Sequence, residues 1–329
     1  MTFPRAAEEQ NIAVAIVSYR TADLVAAQLP ALVEELSGFA NAAVLIVDNA
    51  SPDADADRLA AHLERLGAPD WVRLIRSPVN GGFAAGNNLA FAALGDLGWE
   101  PHAVLLLNPD AMVRPGAVRR LAAFLAETPR AGVAGVRLEN PDGSSWSGAF
   151  RFPTPMGEFA RGTGLGVFMN RWPVLIPDSD APARADWVSG ACMMVRAEML
   201  AEIGGMDEDY FLYFEEIDYM LKAHRAGWEM WHVPDARVLH DAGGATGIVG
   251  GGEETRRRTP AYWFHSWLRY FEKNHGRVTA RIAAALKLLG IFVGAAQRRL
   301  RGRRSPVAPG FAADFTRRCL LGAQDRDAR

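Results

Sequence analysis

The 329 residues carry a formal net charge of −2, with 49% hydrophobic and 22% charged residues, which are ordinary globular proportions. That balance excludes a chain-wide basic field for nucleic acid, and the length suits one large α/β domain with an appendage, or two domains. The two cysteines, Cys192 and Cys319, stand at unrelated sites. They exclude a disulfide framework and a cysteine-built zinc site, and they fit a reducing cytoplasm.

Residues 1–10 hold three charges and no apolar run, so no secretory signal is expected. Residues 12–18 (IAVAIVS) are apolar and β-branched, which predicts a strand, and a helical pattern follows over 22–36. Residues 43–49 (AVLIVDN) predict a second buried strand and 54–66 a second helix. A strand over 71–76, a helix over 83–94 and a strand over 102–107 continue the alternation. Continuous apolar strands separated by amphipathic helices specify a mainly parallel sheet covered on both faces. Ligands of such sheets bind beyond the carboxyl ends of the strands. Polar residues gather there: Ser18 and Tyr19 after the first strand, Asp48 and Asn49 ending the second, Asn108 and Asp110 after the fourth.

Residues 140–185, rich in Gly, Pro and aromatics, read as a long insertion. Order returns with a strand over 187–195, a short helix over 196–203, and a helix over 215–226 stopped by Gly227. Two further strands are predicted over 228–233 and 237–240. Residues 243–252 contain six glycines and read as a mobile loop. A helical tail begins near Pro260. Residues 305–329 show no pattern, as a partly disordered tail would. No run of 18 uncharged apolar residues predicts a transmembrane helix.

Five constellations carry chemistry. Asp48-Asn49-Ala50-Ser51 sits at a strand end, where a carboxylate can accept the N3–H of a uracil or thymine ring; turns and helix caps favour the same residues. In Asn80-Gly81-Gly82-Phe83-Ala84-Ala85-Gly86-Asn87-Asn88, paired glycines allow close backbone approach, and a helix start offers N–H groups to anions. The spacing matches no Walker loop, and a tight strand–helix connection would use the same glycines. Asn108-Pro109-Asp110 delivers an amide and a carboxylate from a buried strand, suited to a hard divalent cation with phosphate oxygens or, alternatively, to a turn opened by Asn-Pro. Residues 207–218 hold six carboxylates interleaved with aromatics. Glu215 and Asp218 share a helix face there, and Glu216 points about 100° away. Carboxylates among buried aromatics acquire raised pKa values, which suits a general base. His240, after a predicted strand, is a candidate metal ligand, although a lone His packs more often as a structural residue.

The order of these motifs decides between the readings. The segments IVSYR, IVDNAS, NGGFAAGNN, LLNPDA, VSGACMMVR and GGMDEDYFLYFEEIDYMLKAHRAGW lie between residues 16 and 228, within a match that runs from about residue 12 to 240. Together they closely resemble the family 2 glycosyltransferases, and most of all the rhamnosyltransferase-like members that build cell-surface polysaccharides. The resemblance implies a Rossmann-like α/β GT-A fold over residues 1–258, with 140–185 on the acceptor side. It also implies inverting sugar transfer from a dTDP- or UDP-sugar to a saccharide acceptor, with Mg²⁺ or Mn²⁺ as cofactor. On that reading Ser18, Tyr19, Asp48, Asn80, Gly81, Gly82, Asn87 and Asn108 line the nucleotide-sugar site, and Asp48 holds the base. Asp110, at the D-x-D position, and His240 hold the metal. Glu216 is the base that deprotonates the acceptor, with Glu215 as the alternative, while Asp207 and Asp218 orient the acceptor or the helix. Two departures stand out: Asn108 replaces the first D-x-D aspartate, and Glu replaces the commoner Asp at the base.

The helical segment 259–304 suggests where the acceptor resides. Residues 282–296 are apolar except for Lys287 and are bordered by Arg277, Arg281 and five arginines within 298–304. Such a segment suits an interfacial helix beside anionic lipids as well as a core helix with a basic end. The expectation is an enzyme on the cytoplasmic face of the plasma membrane acting on a lipid-linked saccharide, with oligomerisation left open. A UDP-hexose donor, a sugar-nucleotide nucleotidyltransferase and a non-catalytic carbohydrate-binding domain are the competing readings.

Overall fold

The computed structural model describes residues 9–240, 258–304 and 307–321. Its first half alternates β1 (Asn11–Ser18), α1 (Ala22–Leu36), β2 (Asn41–Asp48), α2 (Asp55–Arg65), β3 (Val72–Arg76), α3 (Gly82–Ala93) and β4 (Ala103–Leu107). These are the predicted elements, with ends moved by one or two residues. Strands β3, β2, β1 and β4 lie side by side and parallel. The two-residue period of β1 sends Ile12, Val14 and Ile16 to one face and Ala13 and Ala15 to the other. Both sets are buried, the first beneath α1 and α4, the second beneath α3. All five side chains of β4 are buried as well, so it reads as an unbroken apolar run.

The sheet then extends with strands that the sequence reading left unassigned. After β4 come β5 (Ala111–Val113), α4 (Ala117–Glu127) and β6 (Ala131–Glu139). The insertion supplies β7 (Ser145–Trp146), β8 (Ala149–Phe150), α5 (Pro155–Thr163), α6 (Gly166–Arg171) and β9 (Ala183–Ala185). The single strand expected over 187–195 is two. β10 (Trp187–Val188) pairs with β8 in a small separate sheet, and β11 (Cys192–Arg196) enters the main sheet antiparallel to β4 and β6. The break falls at Ser189-Gly190-Ala191, where the chain crosses the mouth of the sheet. α7 (Ala197–Ile203) and α8 (Glu215–Arg225) follow. The two strands expected over 228–240 are one, β12 (Glu229–His240), with a register shift between Val233 and Arg237. Pro234, inside that interval, cannot donate a ladder hydrogen bond, which is why the strand bulges there. The strand order is β3-β2-β1-β4-β11-β6-β12-β5.

A third core lies outside the sheet. α9 (Ala261–Leu300) is interrupted at Gly276, whose φ of 82° breaks it into two straight segments. The first segment buries Phe264, Trp267, Tyr270 and Phe271 against Tyr210, Phe214 and Ile217, at about 1.5–3 kcal/mol for each large side chain fully withdrawn from water. The second packs on α5 so closely that a Cβ at Gly290 would lie 2.3 Å from the Phe159 carbonyl oxygen. Across this contact Lys287 meets Glu158 at 2.5 Å, and Trp267 Nε1 donates to the same carboxylate at 2.9 Å. Burial opposes ionisation of Glu158, yet Lys287, Arg161 and Trp267 together outweigh it and hold the carboxyl below its usual range. Lys287 also hid one property of α9: by length and composition it contains an 18-residue stretch apolar enough to cross a membrane, 44% of it buried in the protein. Part of the expected patternless tail is ordered. α10 (Phe311–Phe315) and the turn after it bury Phe315 and Cys319 against α9. The predicted glycine loop over 243–252 lies outside the described residues.

Candidate active site

β1, β2 and β4 end on one edge of the sheet. Asp48, the last residue of β2, is 3% exposed. Its Oδ2 accepts the Ser51 amide at 3.2 Å, whereas its Oδ1 is buried without a hydrogen-bond partner. A buried acceptor left unmet costs about 1–3 kcal/mol, so this oxygen is poised for an N–H donor. Asn49 fastens the next loop: its Nδ2 donates to Asn80 Oδ1 and to the Gly82 carbonyl, both at 3.0 Å.

The glycine segment works differently from the expectation. The Gly81 amide donates to Asn49 Oδ1, the Gly82 amide to Asn80 Oδ1 and the Phe83 amide to the Phe211 carbonyl. These three amides at the start of α3 are therefore used within the protein and are not offered to an anion. Gly82, at φ 85°, is required because a Cβ there would sit 1.8 Å from the Phe211 oxygen, and a Cβ on Gly86 would strike Val17 at 2.5 Å. Asn87 is buried, with its amide donating to the Phe83 carbonyl. Ser18 is fully buried, sharing a hydrogen bond with Thr21 Oγ1. The side chains of Ser18 and Asn87, expected to meet ligand, thus hold the framework instead. Tyr19 is partly exposed, with the Arg20 guanidinium over its ring.

Residues 108–111 form a tight turn, closed by the Ala111 amide donating to the Asn108 carbonyl at 3.1 Å, so Asn108 and Asp110 are not presented from an extended strand. Buried Gln28, from α1, braces it by donating to the Asn108 and Pro109 carbonyls. β5 begins immediately afterwards, and its antiparallel register pairs Ala111 with His240. That register joins residues 130 positions apart in sequence: His240 Nε2 lies 3.5 Å from Asp110 Oδ1, with both side chains largely withdrawn from water. His240 Nδ1 is buried without a hydrogen-bond partner. One carboxylate and one imidazole are a donor set that suits Mg²⁺ or Mn²⁺. Among the described residues no group of three or more His, Cys, Asp or Glu side chains that could hold a metal is found, so Asp110 and His240 stand as a pair.

The carboxylates of α8 close the site. Tyr213 and Phe214 have φ of 69° and 70°, left-handed conformations that cost non-glycine residues about 1–2 kcal/mol each. The aromatic packing of Phe214 on Trp263 and Tyr270 and of Tyr213 on Tyr262 holds this turn. Directly after it, Glu215 is 4% exposed, and Glu216 lies beside Gly190, which the Phe83 ring also approaches. One oxygen of each carboxylate is buried without a hydrogen bond. Burial pushes the Glu216 carboxyl up to about 7, and burial together with the neighbouring Glu216 raises Glu215 well above the carboxylate range. Gly190 continues to Ala191, whose carbonyl accepts the Asn108 amide at 2.9 Å. Contacts thus run from Asp48 through Asn49, Gly82, Phe83, Gly190 and Asn108 to Asp110 and His240, with Glu216 beside Gly190.

Asp207 and Asp218 face α9. Lys273 Nζ bridges them at 2.6 Å to each, Arg269 pairs with Asp207, and Tyr210 and Asn274 donate to Asp218. Burial opposes ionisation of Asp207, but Lys273 and Arg269 outweigh it and keep its carboxyl below the usual range. Of the two expected roles, these contacts serve to orient the helix. The sequence reading passed over the partners Arg269 and Lys273, although their i,i+4 spacing puts them on one face.

Residues 9–277 match the family described as glycosyltransferase like family 2. The chain belongs to that family. An N-acetylglucosaminyl-diphospho-decaprenol L-rhamnosyltransferase of Mycobacterium tuberculosis is 32% identical over 220 residues, which is 62% of this chain and 68% of the relative. The low-salt glycan biosynthesis hexosyltransferase Agl10 of Haloferax volcanii is 27% identical over 232 residues, 70% of this chain and 67% of the relative. Among solved structures, the mannosyltransferase PcManGT of Pyrobaculum calidifontis, in complex with GDP-Man and Mn²⁺, superposes with a TM-score of 0.57 at 15% identity, covering 98% of this chain and 90% of that one. The chain is therefore a GT-A glycosyltransferase of family 2, with a mostly parallel central sheet and a C-terminal helix. Membership of the family sets aside the nucleotidyltransferase and the non-catalytic domain.

Proposed function

We propose that this family 2 glycosyltransferase moves L-rhamnose from dTDP-rhamnose to a saccharide carried on a lipid diphosphate, by inverting, metal-dependent transfer in cell-surface polysaccharide synthesis. The observation that carries the chemistry is the placement of Asp48, the Asp110–His240 pair and Glu216 along one edge of the sheet. The rhamnosyltransferase relative supports the sugar and the lipid-linked acceptor, and the Mn²⁺ in the mannosyltransferase complex supports the metal.

Each residue has a task it can perform where it stands. Asp48 Oδ1 accepts the N3–H of the thymine ring, satisfying an otherwise unmet buried acceptor. Asp110 and His240 would hold Mn²⁺ or Mg²⁺, which when bound neutralises charge gathering on the leaving diphosphate. Glu216, beside Gly190 and less enclosed than Glu215, takes the acceptor hydroxyl proton. Its carboxyl, raised to about 7, is near the pH at which a base is most effective. Glu215 is more deeply buried, and burial together with the neighbouring Glu216 raises its carboxyl well above the carboxylate range. Attack from the face opposite the leaving group inverts the anomeric carbon in one displacement, so no protein nucleophile is required.

The test is nucleoside diphosphate release from dTDP-rhamnose, UDP-galactose, UDP-glucose, UDP-GlcNAc and GDP-mannose, each with a lipid-diphosphate saccharide acceptor and Mn²⁺. The expected result is release from dTDP-rhamnose, abolished by EDTA. Preference for a UDP-hexose overturns the donor, and release that survives EDTA overturns the metal.

A further inference from the structure

The second segment of α9 has two apolar faces, and among the described residues only one is packed against the protein. Ala283, Ala284, Lys287, Gly290 and Gly294 turn inward to α5. On the other side Val278, Ile282, Ala285, Leu289, Phe292 and Ala296 are all exposed. At 100° per residue these six fall within an arc of about 80°, directly opposite the packed face, and with Leu300 the stripe is about 33 Å long. Val278 is 75% exposed and Phe292 61%. So long a contiguous apolar stripe marks an interaction surface.

The charges around the stripe select its partner. Residues 277–304 contain eight basic side chains and no Asp or Glu. Lys287 is spent on Glu158 inside the protein. The others lie at the two ends: Arg277 and Arg281 at one, Arg281 being held by Glu272 and the Cys319 carbonyl, and Arg298, Arg299, Arg301, Arg303 and Arg304 at the other. A second copy of the helix, parallel or antiparallel, would set basic end against basic end. An anionic lipid surface accepts both ends and the stripe between them. A transmembrane orientation would strip the helix from α5, breaking the buried Lys287–Glu158 pair and the Gly162–Gly290 contact.

We propose that the outward face of α9 between Val278 and Leu300 is a docking surface for anionic lipid, on which the helix lies flat. The same helix, before Gly276, holds Asp207 and Asp218 through Arg269 and Lys273. The docked enzyme therefore carries α8, with Glu215 and Glu216 in its first turn, on the element that meets the bilayer.

The experiment is co-sedimentation of the full chain with phosphatidylcholine vesicles and with vesicles containing about one third phosphatidylglycerol. It reads no turnover, so it stands or fails independently of the donor and acceptor assigned above. The expected result is binding to the anionic vesicles alone, weakened as NaCl rises from 0.1 to 0.5 M. Leu289→Gln/Phe292→Gln lowers partitioning about tenfold or more with an unchanged melting temperature, since both side chains are exposed. Arg299→Gln/Arg303→Gln weakens binding chiefly at low salt. Absence of binding to anionic vesicles, or equal binding by the Leu289→Gln/Phe292→Gln variant, overturns the proposal. So does a wild-type dimer in solution that this variant dissociates, because a second copy then covers the stripe.

Discussion

Replacing Glu216 by glutamine removes a charge that the folded enzyme resists forming. In the unfolded chain this carboxyl ionises near 4.5, and in the fold near 7. Above pH 4.5 the unfolded chain has already released the proton that the folded carboxyl retains, so rising pH favours unfolding through this group until the folded carboxyl ionises too. Ionisation of the folded site costs about 3 kcal/mol at pH 8, and the same group costs only about 1 kcal/mol at pH 5. An unfolding entropy of roughly 2 cal/mol/K per residue gives about 0.7 kcal/mol/K for the chain. Glu216→Gln should then melt about 4 °C above the wild type at pH 8 and about 1 °C above it at pH 5, measured calorimetrically in EDTA. Turnover falls by about 10²–10⁴ because the acceptor loses its base, and wild-type turnover rises with pH through about 7 as Glu216 ionises. Equal gains in melting temperature at the two pH values, or retained turnover, would refute the reasoning.

Other substitutions test the remaining parts of the structure. Gly82→Ala forces a Cβ to within 1.8 Å of the Phe211 oxygen at φ 85°; it is expected to cost about 3 kcal/mol or more and to lower kcat, read by melting temperature and initial rates. Asp110→Ala and His240→Ala should each abolish the Mn²⁺-dependent thermal shift while the melting temperature in EDTA changes by less than about 2 °C; a preserved Mn²⁺ shift places the metal elsewhere. Lys287→Met leaves Glu158 buried without its cation and should destabilise by about 3–5 kcal/mol, most of it recovered by Glu158→Gln/Lys287→Met in a double-mutant cycle by chemical denaturation. Lys273→Met releases the Asp207–Asp218 bridge and should lower kcat more than it raises KM, with the vesicle binding of α9 unchanged.

The half of the fold from β1 to β4 was legible because its strands are short apolar runs separated by helices of clear period. β6 escaped because Ala131-Gly-Val-Ala-Gly-Val carries small residues where Val and Ile usually mark a strand, although six of its first six positions are buried. β12 looked like two strands because Pro234 interrupts its pattern, while pairing with β6 resumes beyond the bulge. At the site, Asp48, Asp110, His240 and the Glu215–Glu216 pair were chosen from residue type and order. The approach of His240 to Asp110 depends on the register of β5 with β12, and the placing of Glu216 beside Gly190 on the crossing of residues 189–191, neither of which a local pattern encodes. The glycines misled because a close approach to Phe211 and Val17 demands the same residue as a phosphate cradle. Gln28, Arg269 and Lys273 went unremarked because each acts on a backbone turn or a carboxylate distant in sequence.

The most direct test of a shared nucleotide-sugar site is a crystal structure with dTDP and Mn²⁺, phased to reveal the manganese anomalous signal. The expected density places Mn²⁺ against Asp110 and His240, with the thymine N3 within hydrogen-bond distance of Asp48 Oδ1. Manganese bound away from this pair, or a thymine ring seated apart from Asp48, would contradict the assignment.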